Sequence, residues 1–268
     1  MTMFSNDPPK ADETRARRLA DKIIREYAIT RPEEIRLEDI SMDRNVLVRE
    51  GALSGSEAYL IRKGNKGIIR VRKDIPEAGR KRFAIAHELG HWEMHSEENQ
   101  LKFCSEDDIG GYLGSPMEIE ANAFASELLM PTRLVSKEFR SATPSLDLIK
   151  ALSSAYNVSL TAAAVKFIQI SKEDCMAIFS RDGIVRWWRK GKEYSSIPGI
   201  EKYHPLHLES EACEIFRGRK ESTKMVRVPN EAWFPWMRER QGFEVYEQSI
   251  RLGNYPTILT LLWMISES

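Results

Sequence analysis

Arg82-Phe83-Ala84-Ile85-Ala86-His87-Glu88-Leu89-Gly90-His91-Trp92-Glu93-Met94-His95 is the stretch on which the fold turns. Its apolar periodicity predicts a helix over 80–96. A second stretch, Glu118-Ile119-Glu120-Ala121-Asn122-Ala123-Phe124-Ala125-Ser126-Glu127-Leu128-Leu129-Met130-Pro131, predicts another over 117–130, stopped by Pro131. Within the first, His87-Glu88-Leu89-Gly90-His91 sets two histidines four residues apart. Residues so spaced lie one above the other on a helix face, so both imidazoles can reach one metal ion. Glu88 lies beside them, where it can take a proton from a water at the site. The flanking run is apolar, and histidines facing an apolar interior need a partner that solvent does not supply. The competing reading is a pair of ordinary hydrogen-bonded histidines.

A catalytic zinc takes three protein ligands and keeps a position for water. Candidates for the third are His95, Cys104, Glu118, Glu120, Asp107 and Asp108. His95 continues the four-residue stripe, but each turn rises ~5.4 Å. One ion cannot easily span two turns, so His95 reads as a support to the site or a polar helix end. Cys104 reads as a loop thiol. On the second helix the apolar stripe is Ala121, Phe124, Ala125, Leu128 and Leu129. At about 100° per residue, Glu118 falls roughly 60° from the centre of that stripe, Glu120 roughly 100°, and Glu127 further. Glu118 therefore projects toward the core edge, with Asn122 one turn on and able to hold a ligand imidazole. An acid in a first helical turn is also favoured by the helix dipole alone. On the residues themselves both readings of Glu118 stand.

Around this pair the chain changes character several times. Residues 1–10 read as a disordered leader. Ala16, Leu19, Ala20, Ile23, Ile24 and Tyr27 form a helical stripe, and Thr30, Pro32 and Glu33 form a fresh helix start. Residues 45–74 contain short β-prone runs, predicting a small antiparallel sheet with a hairpin tip at Gly64-Asn65. Residues 105–116 read as a surface loop and 145–170 as two short helices. From about 172 the pattern is a hairpin turning at Asp182-Gly183, then further strands, one of them the apolar run Ile258–Ile265.

Composition narrows the partners. Forty Lys+Arg balance forty Asp+Glu in 268 residues, so no bulk basic field for nucleic acid exists. No run approaches the ~20 apolar residues a membrane span needs. The N-terminus lacks a signal-peptide apolar region. Three scattered cysteines (Cys104, Cys175, Cys213) form no disulfide framework, which favours the cytoplasm. Of five histidines, three fall at 87, 91 and 95.

The two helical motifs, in this order, resemble the ImmA/IrrE family of bacterial metallopeptidases. The resemblance covers residues ~15–135 well and fades beyond them. It implies a gluzincin-like site: His87, His91 and Glu118 as ligands of Zn2+ (Mn2+ is an alternative) and Glu88 as general base. Asn122 and His95 would then support the ligands. It also implies an α+β chain: a leader (1–10), a small mixed α/β zincin-like peptidase core (11–135), a helical helix-turn-helix-like subdomain (136–171), and a C-terminal GAF-like α+β sensory or regulatory module (172–268). The substrate implied is a helix-turn-helix transcriptional repressor, whose cleavage derepresses stress or mobile-element genes. Many relatives carry an N-terminal DNA-binding domain for which this chain has no room, so the repressor is expected as a separate protein. Tyr112, Arg82 and His95 are all conceivable oxyanion donors.

Two other functions compete. In one, the chain is a non-enzymatic regulator, binding a small molecule or protein through its C-terminal module. Glu88 argues against this, because a structural metal site needs no base. In the other, the helices at 145–170 bind DNA as a helix-turn-helix. The second of them offers Lys166 alone as a cation, which makes direct nucleic-acid binding the weaker expectation. Trp187, Trp188, Trp233, Phe234 and Trp236 read as packing or as a ligand pocket. Arg217-Gly218-Arg219-Lys220 reads as a solvated loop.

Overall fold

The computed structural model describes residues 10–95, 102–104 (backbone only), 115–191, 199–219, 221, 223–235, 242–253 and 256–266. The leader up to residue 9 and most of the 105–116 loop thus lie outside the described residues. The fold is α+β, and the chain divides into two compact units, Met1–Leu134 with Ala155–Ser159, and Val135–Ser154 with Leu160–Ser268.

The first unit opens with α1 (Glu13–Glu26), whose first turn is capped by the Asp12 side chain accepting from the Arg15 N–H. Ala16, Ala20, Ile23 and Ile24 are its buried stripe. The helix start expected near Thr30 is a single 3-10 turn, Pro32–Glu34. Its capping glutamate is Glu34 rather than Glu33, accepting from the backbone N–H groups of Thr30 and Arg31. Then follow α2 (Leu37–Asp43), β1 (Val46–Gly51), β2 (Ala58–Lys63), β3 (Lys66–Arg72), α3 (Ala78–Met94), β4 (Lys102–Cys104) and α4 (Pro116–Leu129).

The sheet runs β1-β3-β2-β4. It is mixed, which corrects the antiparallel expectation: β2 and β3 form the hairpin turning at Gly64-Asn65, but β1 lies parallel to β3. β3 slots between β1 and β2, so two strands that look like hairpin neighbours in sequence are held one strand apart. Val46, Ala58, Leu60, Ile69 and Val71 fill the buried face, against which α3 packs. Trp92 pins the end of α3 to this sheet: the Arg62 guanidinium lies 3.9 Å above its ring and also donates to its carbonyl.

Two glycines set how closely α3 is approached. A Cβ on Gly90 would lie 3.1 Å from the Phe124 ring and 3.2 Å from the Ala121 Cα, so α4 crosses α3 nearly backbone to backbone there. A Cβ on Gly79 would lie 2.6 Å from the Val158 carbonyl carbon, so the returning segment Ala155–Ser159 seats on the first turn of α3 only because no side chain intervenes. α1 lies against α4, and Leu89, Ala121, Phe124 and Leu128 between the helices are fully buried.

The chain continues through α5 (Thr132–Phe139), α6 (Leu146–Tyr156) and α7 (Leu160–Ile170), then β5 (Cys175–Arg181), β6 (Ile184–Lys190), α8 (Glu211–Phe216), β7 (Val226–Val228), β8 (Phe243–Arg251) and β9 (Thr257–Ser266). The second unit's sheet, β6-β5-β9-β8-β7, is antiparallel throughout. Asp182 and Gly183 turn its first hairpin with φ of 55° and 73°. The apolar run expected as a buried strand is β9. Trp233 and Phe234 sit in the core with Met176, Ile178, Val245 and Leu262, while Trp187 stacks on Phe179 at 5.4 Å. Trp236 lies outside the described residues. Within this core the Glu247 carboxylate accepts four hydrogen bonds. They come from the Glu211 and Ala212 N–H groups at the start of α8, the Trp233 indole and the Ser249 hydroxyl.

Candidate functional site

α3 carries His87, Glu88 and His91 into the interior, at 0%, 0% and 4% exposure. α4 brings Glu118 and Asn122 to meet them, because its buried stripe turns these two residues toward α3 and because Gly90 removes the side chain that would hold the helices apart.

The geometry is that of three donors around one point. His87 Nε2 is 3.1 Å from His91 Nε2 and 3.0 Å from Glu118 Oε2, and His91 Nε2 is 3.3 Å from Glu118 Oε1. A tetrahedral shell with bonds of about 2.0–2.1 Å sets its donors roughly 3.3 Å apart, so this spacing suits a zinc-sized ion. His87, His91 and Glu118 each offer one ligand atom, all within 4.8 Å of one another.

The chemistry of the donor set agrees with the spacing. His87 Nδ1 lies 2.9 Å from the Asn122 side-chain oxygen, which can only accept. The ring proton therefore sits on Nδ1 and the Nε2 lone pair faces the shared point. Lone pairs and a carboxylate crowded to about 3 Å repel unless a positive charge lies among them. Without an ion a proton takes that place. Burial alone would lower the pKa of His87, but Glu118, Glu88 and Asn122 outweigh it and the net shift is upward. His91, whose burial prevails, is pushed down to about 4. Burial raises Glu118, yet its hydrogen bonds to His87 and His91 win and hold it well below the usual carboxylate range. The residues present thus fit a divalent cation with two imidazole ligands and one carboxylate.

Of the other third-ligand candidates, Glu120 turns away to His95, its Oε2 lying 2.9 Å from His95 Nε2, and His95 in turn sets its Nδ1 2.9 Å from His91 Nδ1. His95 ends α3 as its C-cap. The side chain of Cys104, and Asp107, Asp108 and Tyr112, lie outside the described residues. Arg82 is engaged elsewhere, donating to the Ile35 carbonyl. Lys166, the cation on which a DNA-reading helix would depend, is fully buried. No helix among the described residues is long and apolar enough to cross a membrane.

A histidine pair on one buried helix, met by a carboxylate from a second, is the layout of a metal-dependent peptidase unit, and residues 42–167 match a peptidase family. That family is described as the IrrE N-terminal-like domain. A solved structure described as a Mycobacterium tuberculosis transcriptional regulator is similar in fold. The likeness covers 93% of this chain and 75% of that one, with a TM-score of 0.57 and 15% identity. No curated protein matches the chain.

Proposed function

We propose that the chain is a zinc-type metalloendopeptidase of the cytoplasm. Its substrate is a helix-turn-helix transcriptional repressor, whose cleavage derepresses stress or mobile-element genes. The observation that carries this reading is the convergence of His87, His91 and Glu118 on one point inside a peptidase-family domain. The likeness to a transcriptional regulator is in keeping with a regulatory role. Residues 136–171 serve as the helix-turn-helix-like subdomain and 172–268 as the sensory or regulatory module of the same enzyme.

His87, His91 and Glu118 would hold the ion, zinc in the simplest case and manganese as the alternative. When bound, it supplies Lewis acidity toward a water and a peptide carbonyl. Glu88 follows His87 in the chain, is enclosed by the core and acts electrostatically on His87. It takes the proton from the attacking water and delivers it to the leaving amine. Asn122 keeps the His87 ring turned so that Nε2 faces inward.

The test is incubation of the metal-loaded chain with the helix-turn-helix repressors of its own cell, purified one at a time, followed by intact-mass spectrometry. One cut by wild type and none by Glu88→Gln, with metal content unchanged, is the expected result. Repressors all left whole in both zinc and manganese refute the substrate. Normal cutting by Glu88→Gln refutes the base.

A further inference from the structure

We infer that Glu120 and His95 form a positioning relay that fixes the direction of the His91 lone pair, and that the backbone of Asp12 anchors the far end of this relay. The inference rests on the ligand set proposed above.

The two histidine ligands are held by different means. His87 is oriented in one step, by the amide oxygen of Asn122. His91 faces a different kind of partner: its Nδ1 lies 2.9 Å from another imidazole nitrogen, Nδ1 of His95. An imidazole nitrogen is donor or acceptor according to its tautomer, so by itself this contact fixes nothing. Glu120 removes the ambiguity. Its carboxylate accepts only, and its Oε2 is 2.9 Å from His95 Nε2. His95 then carries a proton on Nε2, and as a neutral ring it accepts at Nδ1. His91 must donate from Nδ1, and its Nε2 is left with a lone pair aimed at His87 and Glu118.

The opposite tautomer of His95 would reverse the chain. With a proton on His95 Nδ1, His91 would accept there and carry its own proton on Nε2, where a metal ligand needs a lone pair. Glu120 is itself held: its Oε1 accepts the Asp12 N–H at 2.7 Å, so its two oxygens bridge the start of α1 and the end of α3. His95 and Glu120 are little exposed, 9% and 14%, so water competes weakly for these bonds.

Zinc affinity of the purified full-length chain, measured by competition with a chromogenic chelator, tests the relay. Outer partners of this kind are worth about 10–100-fold in metal affinity. Glu120→Ala and His95→Ala should each weaken zinc by that factor while the melting temperature of the metal-free protein stays near that of wild type. Glu120→Gln keeps the size of the side chain but offers one accepting oxygen in place of two, and should fall between. In histidine-15N spectra of the metal-free protein, wild type should show His91 protonated at Nδ1, and Glu120→Ala should lose that preference. Asp12→Pro, which lacks the N–H, should bind zinc more weakly than Asp12→Ala, which keeps it; both lose the side-chain cap of α1. Zinc affinity within about threefold of wild type in the two alanine variants, beside loss of zinc in Glu118→Ala, overturns the relay and leaves the ligand set standing. Retention of zinc by Glu118→Ala overturns the ligand set, and the relay with it.

Discussion

Gly90 of α3 meets Ala121 of α4 so closely that a Cβ on the glycine would stand 3.2 Å from the Ala121 Cα. The glycine inside the histidine motif therefore sets the distance between the helix with His87 and His91 and the helix with Glu118. Gly90→Leu should cost about 1–3 kcal/mol of stability through overpacking. It should also weaken zinc binding by moving Glu118 away from His87 and His91. Urea unfolding and chelator competition measure the two effects separately, and a Gly90→Leu protein with wild-type zinc affinity contradicts the account.

Asn122 offers a simpler lever. Asn122→Ala removes the acceptor that holds the His87 ring, and zinc affinity should drop about 10–100-fold. Asn122→Asp keeps an oxygen at that position and should retain most of the affinity. Equal losses in the two variants would show that the asparagine acts by packing rather than by orienting the ring.

The pH dependence of metal binding has a definite sign. The His87 pKa is raised, so its ring keeps its proton to higher pH than an ordinary histidine, and the ion must displace it. His91, pushed down to about 4, is already deprotonated there. Affinity should fall as pH falls through the raised His87 value, with about one proton released per ion bound near pH 6. Calorimetry in buffers of different ionisation enthalpy counts that proton. A heat independent of the buffer would contradict the arrangement.

In the second unit the four donors around Glu247 make a separate expectation. Glu247→Ala would leave the Trp233 indole and two backbone N–H groups of α8 without their acceptor inside the core. At roughly 1–3 kcal/mol per abandoned buried group, the loss should exceed 3 kcal/mol. It should be read in the tryptophan fluorescence of unfolding. A variant as stable as wild type would mean that water replaces the carboxylate.

Much of the candidate site's geometry is legible because it is written in helical periodicity. Four-residue spacing stacks His87 on His91, and the apolar stripe of α4 turns Glu118 and Asn122 inward while leaving Glu120 to the side. Glu120 does turn aside, but to His95, a contact that periodicity does not predict. Its partners, His95 and the Asp12 amide, come from other parts of the chain, and no spacing rule links residues 108 positions apart. The same limit explains the sheet. Strand tendency is local, but the choice of β3 as the partner of β1 is a matter of which strand slots between the other two. The three-residue strand β4 is too short to register as a period. The capping glutamate was misread by one residue because Glu33 and Glu34 are adjacent and equivalent in composition.

The return of Ala155–Ser159 to Gly79 has a topological consequence. The peptide chain passes between the two units three times, after residues 134, 154 and 159. Severing it once cannot release either unit intact, since a fragment ending at 134 lacks the strip that rests on the first turn of α3. A nick anywhere in 135–154 leaves that strip covalently joined to the C-terminal fragment while it stays packed on the N-terminal one. The two units are in this sense sewn rather than strung. Limited proteolysis should yield cut chains that still travel together on a sizing column until they are denatured.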